Sequence, residues 1–272
     1  MVRIDDVTKI FHRGEVNEVT AVEQVSLHVP RGQFIVVIGG NGSGKSTLLN
    51  LVAGTVFPDR GAISVDGDDL TRVPEYKRSA MLGRVFQDPL RGTSAGLTIE
   101  ENFALAASRG EFRGLSRALG TKLRTEIRDR LELLGLGLEG RMKTKVGLLS
   151  GGQRQAITIM MAVFRRPLVL LLDEHTAALD PRASRTIMDL TRRIVAEHHL
   201  TTLMITHNLA HALDSGDRTV MMSRGRIVHD LSDERRARMT VQDLLALFWE
   251  TQTGEEAPSE LLRPGECSSP AS

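Results

Sequence analysis

The chain has 272 residues, 41% of them hydrophobic and 25% charged, with a formal net charge of +1. This is the composition of a globular protein of one large or two modest domains, and so small a charge gives no strong field toward nucleic acid. Its single cysteine, Cys267, excludes an intrachain disulfide and a cysteine-cluster metal site. The longest nearly apolar stretch, Ala156 to Phe164, is far below the roughly 18–20 residues that cross a bilayer.

The first 90 residues read as strands and turns. Val2–Val7, Val25–Val29 and Phe34–Ile38 are β-branched runs bounded by turn residues. Pro30-Arg31-Gly32 turns the chain before the third run. A helix over Lys45–Ala53 follows. Ala62–Val65 is a further strand ending in the hairpin-type turn Asp66-Gly67-Asp68, and Arg84–Phe86 reads as a short strand. From about 98 the character becomes helical. Thr98-Ile99-Glu100-Glu101 starts a helix with acidic residues in its first turn. Apolar residues at 119, 123, 127, 131 and 134 predict a helix from Arg117 to Leu134, ended by Gly135-Leu136-Gly137.

The remainder alternates. Leu168–Leu172 is a continuous apolar run, as in a buried parallel strand. Pro181 opens a helix where proline is best tolerated. Thr201–Thr206 is a strand and Asn208–Ser215 a short helix. Thr219–Ser223 and Arg226–His229 form two strands around Arg224-Gly225, and Thr240–Glu250 is an amphipathic helix. Residues 251–272 hold four Glu and one Arg among Gly, Pro and Ser, the composition of a disordered tail.

Two glycine-rich segments open helices. Gly39-Gly40-Asn41-Gly42-Ser43-Gly44-Lys45-Ser46-Thr47 fits G-x-x-x-x-G-K-[ST] between an apolar strand and a helix. Its backbone N–H groups can converge on phosphate oxygens at a helix N-terminus. Lys45 is placed to reach the β- and γ-phosphates, and Ser46 to offer its hydroxyl to Mg²⁺. The apolar strand near 170 ends in two carboxylates. Asp173 can hold Mg²⁺ through water, and Glu174 can orient or deprotonate an attacking water; the alternative is a capping pair for the next helix.

The second segment is Leu149-Ser150-Gly151-Gly152-Gln153-Arg154-Gln155. Ser150 and Gln153 form a capping box. Two glycines in a first turn each weaken a helix by about 0.8–1.0 kcal/mol relative to Ala, which suggests that something must approach that backbone closely. An anion at the helix N-terminus would do so.

This segment resembles the signature motif of ABC-type ATPases, beginning 19 residues before the strand that ends in Asp173, and the resemblance spans about residues 1–250. It implies an α/β fold with a P-loop NTPase core around a mixed, largely parallel sheet. An N-terminal antiparallel β subdomain and a helical subdomain inserted at about 88–165 complete that fold. It further implies ATP and Mg²⁺ as ligands, with Ser150, Gly151, Gly152 and Gln153 facing the nucleotide of a second copy. Phe11 resembles the aromatic that stacks on adenine, with a core phenylalanine as its alternative. Gln87 resembles the glutamine that contacts Mg²⁺ and the attacking water, and Asp180 the aspartate across the dimer. His207 resembles the histidine that contacts the γ-phosphate. One departure is His175, where the family usually has Pro after the catalytic Glu; it is either a neutral replacement or a titratable ring beside Glu174.

The function that the resemblance implies is the ATP-hydrolysing subunit of a transporter. Membrane permease subunits would receive it at the cytoplasmic face of the membrane through residues 88–96, and a solute-binding protein would deliver an amino acid or related solute. The alternative is a soluble ABC ATPase of an assembly process such as iron–sulfur cluster assembly. The mild charge and the lack of a basic stripe argue against nucleic acid as a partner.

Overall fold

The computed structural model describes residues 1–110 and 119–253. Strands β1 (Val2–Phe11), β2 (Val19–Val29) and β3 (Phe34–Gly39) lead into helix α1 (Lys45–Ala53). β4 (Arg60–Val65), β5 (Asp68–Asp69), α2 (Glu75–Arg78) and β6 (Leu82–Val85) follow. Three helices come next: α3 (Ile99–Ala107), α4 (Thr121–Glu132) and α5 (Gly151–Val163). The chain then alternates through β7 (Val169–Asp173), α6 (Pro181–His198), β8 (Thr201–Ile205) and α7 (Leu209–Asp214). It finishes with β9 (Arg218–Ser223), β10 (Arg226–Ser232), α8 (Asp233–Ala237) and α9 (Val241–Thr253).

The central sheet has the order β10-β9-β3-β8-β7-β6, parallel except for β10, which is antiparallel to β9. A smaller antiparallel sheet has the order β2-β1-β4-β5. All six residues of β3 are buried because both of its faces are covered. Val36 and Ile38 join the apolar cluster that includes Ile157, Met160 and Phe103. Ile35 and Val37 join the cluster that includes Leu48, Leu51 and the inner face of the small sheet. β7 divides in the same way, Leu170 and Leu172 to the first cluster and Val169 and Leu171 to the second.

The local signals act as read. Asp66 and Gly67 both have positive φ, at 54° and 96°, the backbone of a two-residue hairpin turn. Thr98 caps α3 through a capping box with Glu101, and Asp180 caps α6 ahead of Pro181. Several boundaries differ from the sequence reading. β1 runs on from Val7 to Phe11, β2 starts at Val19 rather than Val25, and β10 runs on from His229 to Ser232. The strand expected at Arg84–Phe86 is Leu82–Val85; Phe86 lies past the ladder, with the Arg84 and Arg91 guanidinium groups 4.6 and 5.1 Å from its ring centre. The helix expected from Arg117 starts at Thr121; residues 117 and 118 lie outside the described residues. The last helix runs three residues past Glu250, with Thr251 Oγ1 donating to Leu247 O at 2.7 Å. Cys267 and the rest of the acidic tail from 254 onward lie outside the described residues.

Candidate active site

The parallel strands of the central sheet end along one edge, and their registers bring the predicted groups to it. Val37 of β3 pairs with Ile205 of β8, which pairs with Asp173 of β7; Leu172 pairs with Val85 of β6. The segments that leave these strand ends carry the glycine loop, Glu174, Gln87 and His207. This is where open α/β sheets bind ligands.

The glycine loop is shaped by contacts that only glycine tolerates. Gly39 has φ 156° and Gly44 φ 98°; a Cβ would lie 2.3 Å from Met222 O at the first and 2.3 Å from Ala21 O at the second. α1 therefore begins on a left-handed glycine with no side-chain cap, and its first N–H groups have no intrahelical acceptor. Lys45, 5% exposed, folds back over the loop. Its Nζ donates to Gly39 O at 2.9 Å and Gly40 O at 2.8 Å. Burial lowers its pKa, against the opposing pull of Glu174 and Asp173. Asn41, Gly42 and Ser46 are exposed, Thr47 is half-buried, and the Ser43 hydroxyl lies 3.4 Å from Lys45 Nζ.

Glu174 sits in the left-handed region at φ 45°, rare for a residue with a side chain and concentrated at functional sites. Its N–H donates to Ile205 O at 3.0 Å, which pins the turn to the end of β8. Its Oε1 then lies 2.5 Å from His207 Nε2. Asp173 is half-buried beside it, and burial raises its carboxyl pKa above the usual range while Arg84 pulls it back down. A cavity of about 480 Å³ lies against this pair, lined by Glu174, Leu179, Ser184, His207 and His211 among others.

His175 resolves the departure from the family pattern. Its ring is 2% exposed, with Nε2 3.1 Å from Thr191 Oγ1 on α6. Thr191 donates its one hydroxyl hydrogen to Ile187 O at 2.8 Å, so the His175 Nε2–H is the donor between the two. Burial, with His211 adding to it, pushes the His175 pKa down to about 3. The ring is neutral and anchors the turn to α6; the alternative of a titrating neighbour for Glu174 is set aside.

Ser150 and Gln153 form the capping box, each side chain accepting from the other's N–H at 3.2 Å. The N–H groups of Gly151 and Gly152 stand at the start of α5, where no intrahelical acceptor exists. The two glycines also have a reason within the chain. A Cβ on Gly151 would lie 3.3 Å from Leu179 Cδ2, and one on Gly152 3.4 Å from Ala183 Cβ. Close approach of α5 to the start of α6 thus adds to the argument from an approaching anion.

Among the described residues, no hydrogen bond or ion pair joins Ser150–Gln153 to the Gly39–Thr47 loop. Asp180 Oδ1 accepts from Arg182 N and Ala183 N, both at 3.0 Å. Phe11 is half-buried at the end of β1, outside both apolar clusters, with the Lys9 ammonium 5.3 Å from its ring centre. The core alternative does not describe it. Gln87 is exposed.

The ABC transporter family model matches residues 22–177. The chain belongs to the ABC transporter family. It is 42% identical to a tyrosine transport ATP-binding protein of Clostridioides difficile (strain R20291), over 91% of this chain and 98% of that one. It is 36% identical to a methionine import ATP-binding protein, MetN, of Rhodopseudomonas palustris (strain BisA53), over 96% of this chain and 69% of that one. Among solved structures it resembles a dimeric ATP-binding cassette bound to ADP and Pi in a post-hydrolysis state. The TM-score is 0.73 at 29% identity, over 85% of this chain and 98% of that one. A nucleotide-free cassette from an ABC transporter gives a TM-score of 0.75 at 25% identity, over 94% and 99%.

The protein is an ABC ATPase, the ATP-binding and hydrolysing subunit of a transporter. No helix among its described residues is long and apolar enough to cross a membrane. One residue beside the predicted site residues of this ABC ATPase escaped the sequence reading. Arg84 Nη2 lies 3.8 Å from Asp173 Oδ2, and the same guanidinium donates to Asn50 Oδ1 at 2.6 Å. The available signal was an arginine inside a strand whose other members, Leu82, Gly83 and Val85, are all buried.

Proposed function

We propose that the chain holds ATP with Mg²⁺ on its Gly39–Thr47 loop and pairs with a second copy. Each copy closes Ser150–Gln153 over the other's γ-phosphate, and the cycle drives import of an amino acid through permease subunits at the cytoplasmic face of the membrane. The observation that carries the hydrolytic part is the 2.5 Å contact between Glu174 Oε1 and His207 Nε2 at the strand edge that holds Lys45 and Asp173. In this reading Glu174 takes the proton of the attacking water, and His207 orients Glu174 and contacts the γ-phosphate.

Lys45 exchanges its two carbonyl partners for β- and γ-phosphate oxygens, and the loop N–H groups bind the remaining oxygens. Phe11 stacks on adenine, and Asp180 faces the second copy. The hydroxyl of Ser46, the amide oxygen of Gln87 and the carboxylate of Asp173 are hard oxygen donors of the kind Mg²⁺ takes, and the cradle at Gly39 and Gly44 has no room for a Cβ. Mg²⁺, when bound, offsets charge on the β- and γ-phosphates.

The amino-acid cargo is supported by relatives named for tyrosine transport and methionine import, the first matched over nearly its whole length. The test is a pull-down from membranes with the tagged chain. A co-purified permease whose solute-binding protein binds tyrosine or methionine supports the reading. Recovery without any membrane partner refutes the transport role. Separately, Lys45→Ala must abolish hydrolysis, and retained turnover refutes the role of the loop.

A further inference from the structure

Arg84 is tied to five parts of the molecule at once. It stands on β6, where it pairs with Leu171 of β7, and its side chain is only 12% exposed. Nη2 donates to Asn50 Oδ1 on α1 at 2.6 Å, and Nη1 to Thr55 Oγ1 just beyond that helix at 3.0 Å. Glu75 Oε1 of α2 is 3.6 Å from Nη1, and Asp173 Oδ2 is 3.8 Å from Nη2. The guanidinium carbon is 4.6 Å from the centre of the Phe86 ring, which Arg91 approaches to 5.1 Å. Phe86 is the residue before Gln87. The same helix whose last turns carry Asn50 begins with Lys45 and Ser46.

Taking a guanidinium out of water is costly unless its donors are engaged. The two terminal nitrogens of the planar fork hydrogen-bond Asn50 and Thr55 and face the carboxylates of Glu75 and Asp173 in fixed directions, which an ammonium cannot do, while Nε is buried without an acceptor. Charge alone does not account for a cation here, because a guanidinium beside a carboxylate that binds Mg²⁺ repels the metal. Geometry does account for it. Two hydrogen bonds, to Asn50 and Thr55, hold the guanidinium against α1. So held, it stands 3.8 Å from Asp173 Oδ2 as an ion pair and against the ring of Phe86, which leads into Gln87.

We propose that Arg84 is a positioning residue for the metal site: it holds the Asp173 carboxylate in register with the helix that carries Lys45 and Ser46. The inference rests on the reading of Asp173 as the carboxylate that holds Mg²⁺. Partners of metal ligands typically change metal affinity by about 10–100-fold when removed.

The test measures binding of a fluorescent ATP analogue to the full chain with Mg²⁺ and with EDTA, and takes the ratio of the two affinities. In Arg84→Gln this ratio falls about tenfold, while binding in EDTA stays within about twofold. Arg84→Lys, which keeps the charge without the fork, stays low. A ratio that is unchanged or raised in Arg84→Gln overturns the proposal, and so does full recovery with Lys. Should Arg84→Gln fail to fold, Asn50→Ala combined with Thr55→Val removes two anchors and keeps the guanidinium; the ratio must fall there too, and an unchanged ratio overturns the proposal. Asp173→Ala separates the two readings, since a full Mg²⁺ effect in that variant would refute the role of Asp173 itself.

Discussion

Glu174 Oε1 and His207 Nε2 lie 2.5 Å apart although they stand 33 positions apart in the chain. Two strand ends create the contact. Asp173 pairs with Ile205 in the parallel ladder, and the Glu174 N–H donates to Ile205 O, so both side chains leave the sheet at the same level. Groups that act as a unit give non-additive losses. Glu174→Gln should lower kcat by about 10²–10⁴-fold, and His207→Ala should also lower it. The double variant should be no slower than the worse single one. Steady-state hydrolysis by all three variants measures this, and losses that multiply would break the pair into independent groups.

Glu174→Gln should also accumulate an ATP-bound dimer, because binding persists while the γ-phosphate stays uncleaved. In that background Ser150→Arg should return the protein to monomer on size-exclusion with ATP, with ATP affinity within about threefold. The control is Ser150→Ala. It removes the cap that accepts from Gln153 N, at roughly 1 kcal/mol, and adds no bulk. If Ser150→Ala prevents the dimer as fully as Ser150→Arg, the cap and not the trans contact explains the effect.

His175 makes an acid-stability prediction. Its pKa is about 3 in the fold against 6.5 as the unperturbed value. Between these values the unfolded chain binds the extra proton, so the stability conferred by the neutral ring is present above about pH 6.5. It is lost as pH falls toward 3, at up to about 1.4 kcal/mol per pH unit. His175→Leu removes the titrating group, and Thr191 keeps its bond to Ile187 O. Denaturant midpoints between pH 6.5 and 4.5 should fall less steeply for the variant than for the native chain. Parallel curves would show that the ring titrates normally. The pH profile of hydrolysis above pH 6 should keep its shape, since the ring is already neutral there.

The parts of this molecule that were legible in sequence are those set by local rules. α1 runs from Lys45 to Ala53 as read, because left-handed glycines at 44 and 54 bound it. The carboxylates and the histidine were legible because each follows an apolar strand directly. The parts not legible depend on contacts between distant segments. Phe86 looks like the end of a strand, yet its ring serves two arginines. His175 looks like a possible acid–base group, and only Thr191, 16 residues on, shows it to be an anchor. Arg84 carries no motif, and its meaning comes from Asn50, Glu75 and Asp173 together.

Arg78 is a second arginine whose role only packing reveals. It is fully buried and donates to carbonyls rather than to a carboxylate: Nη1 to Leu51 O at 2.9 Å and Val52 O at 2.7 Å, Nε to Val73 O at 2.6 Å, and Nη2 to Leu70 O. Leu51 and Val52 lie in the last turn of α1, where carbonyls lack intrahelical partners and a cation meets the negative end of the helix dipole. Gly54 makes room, since a Cβ there would lie 2.5 Å from Arg78 Nε. Arg78→Met keeps much of the volume and leaves these carbonyls without donors. At about 1–3 kcal/mol for each buried unpaired group, partly relieved by water, the loss should exceed about 3 kcal/mol, or roughly 6–12 °C in melting temperature for a chain of this size. Gly54→Ala should also destabilise, because its Cβ would displace Arg78 and its φ of 82° strains any residue but glycine. Below their melting temperatures both variants should bind ATP nearly as the native chain does, because Arg78 caps the end of α1 opposite Lys45. Calorimetry with nucleotide titration checks both halves, and a melting temperature within about 2 °C of the native value for Arg78→Met would show that these carbonyls find other donors.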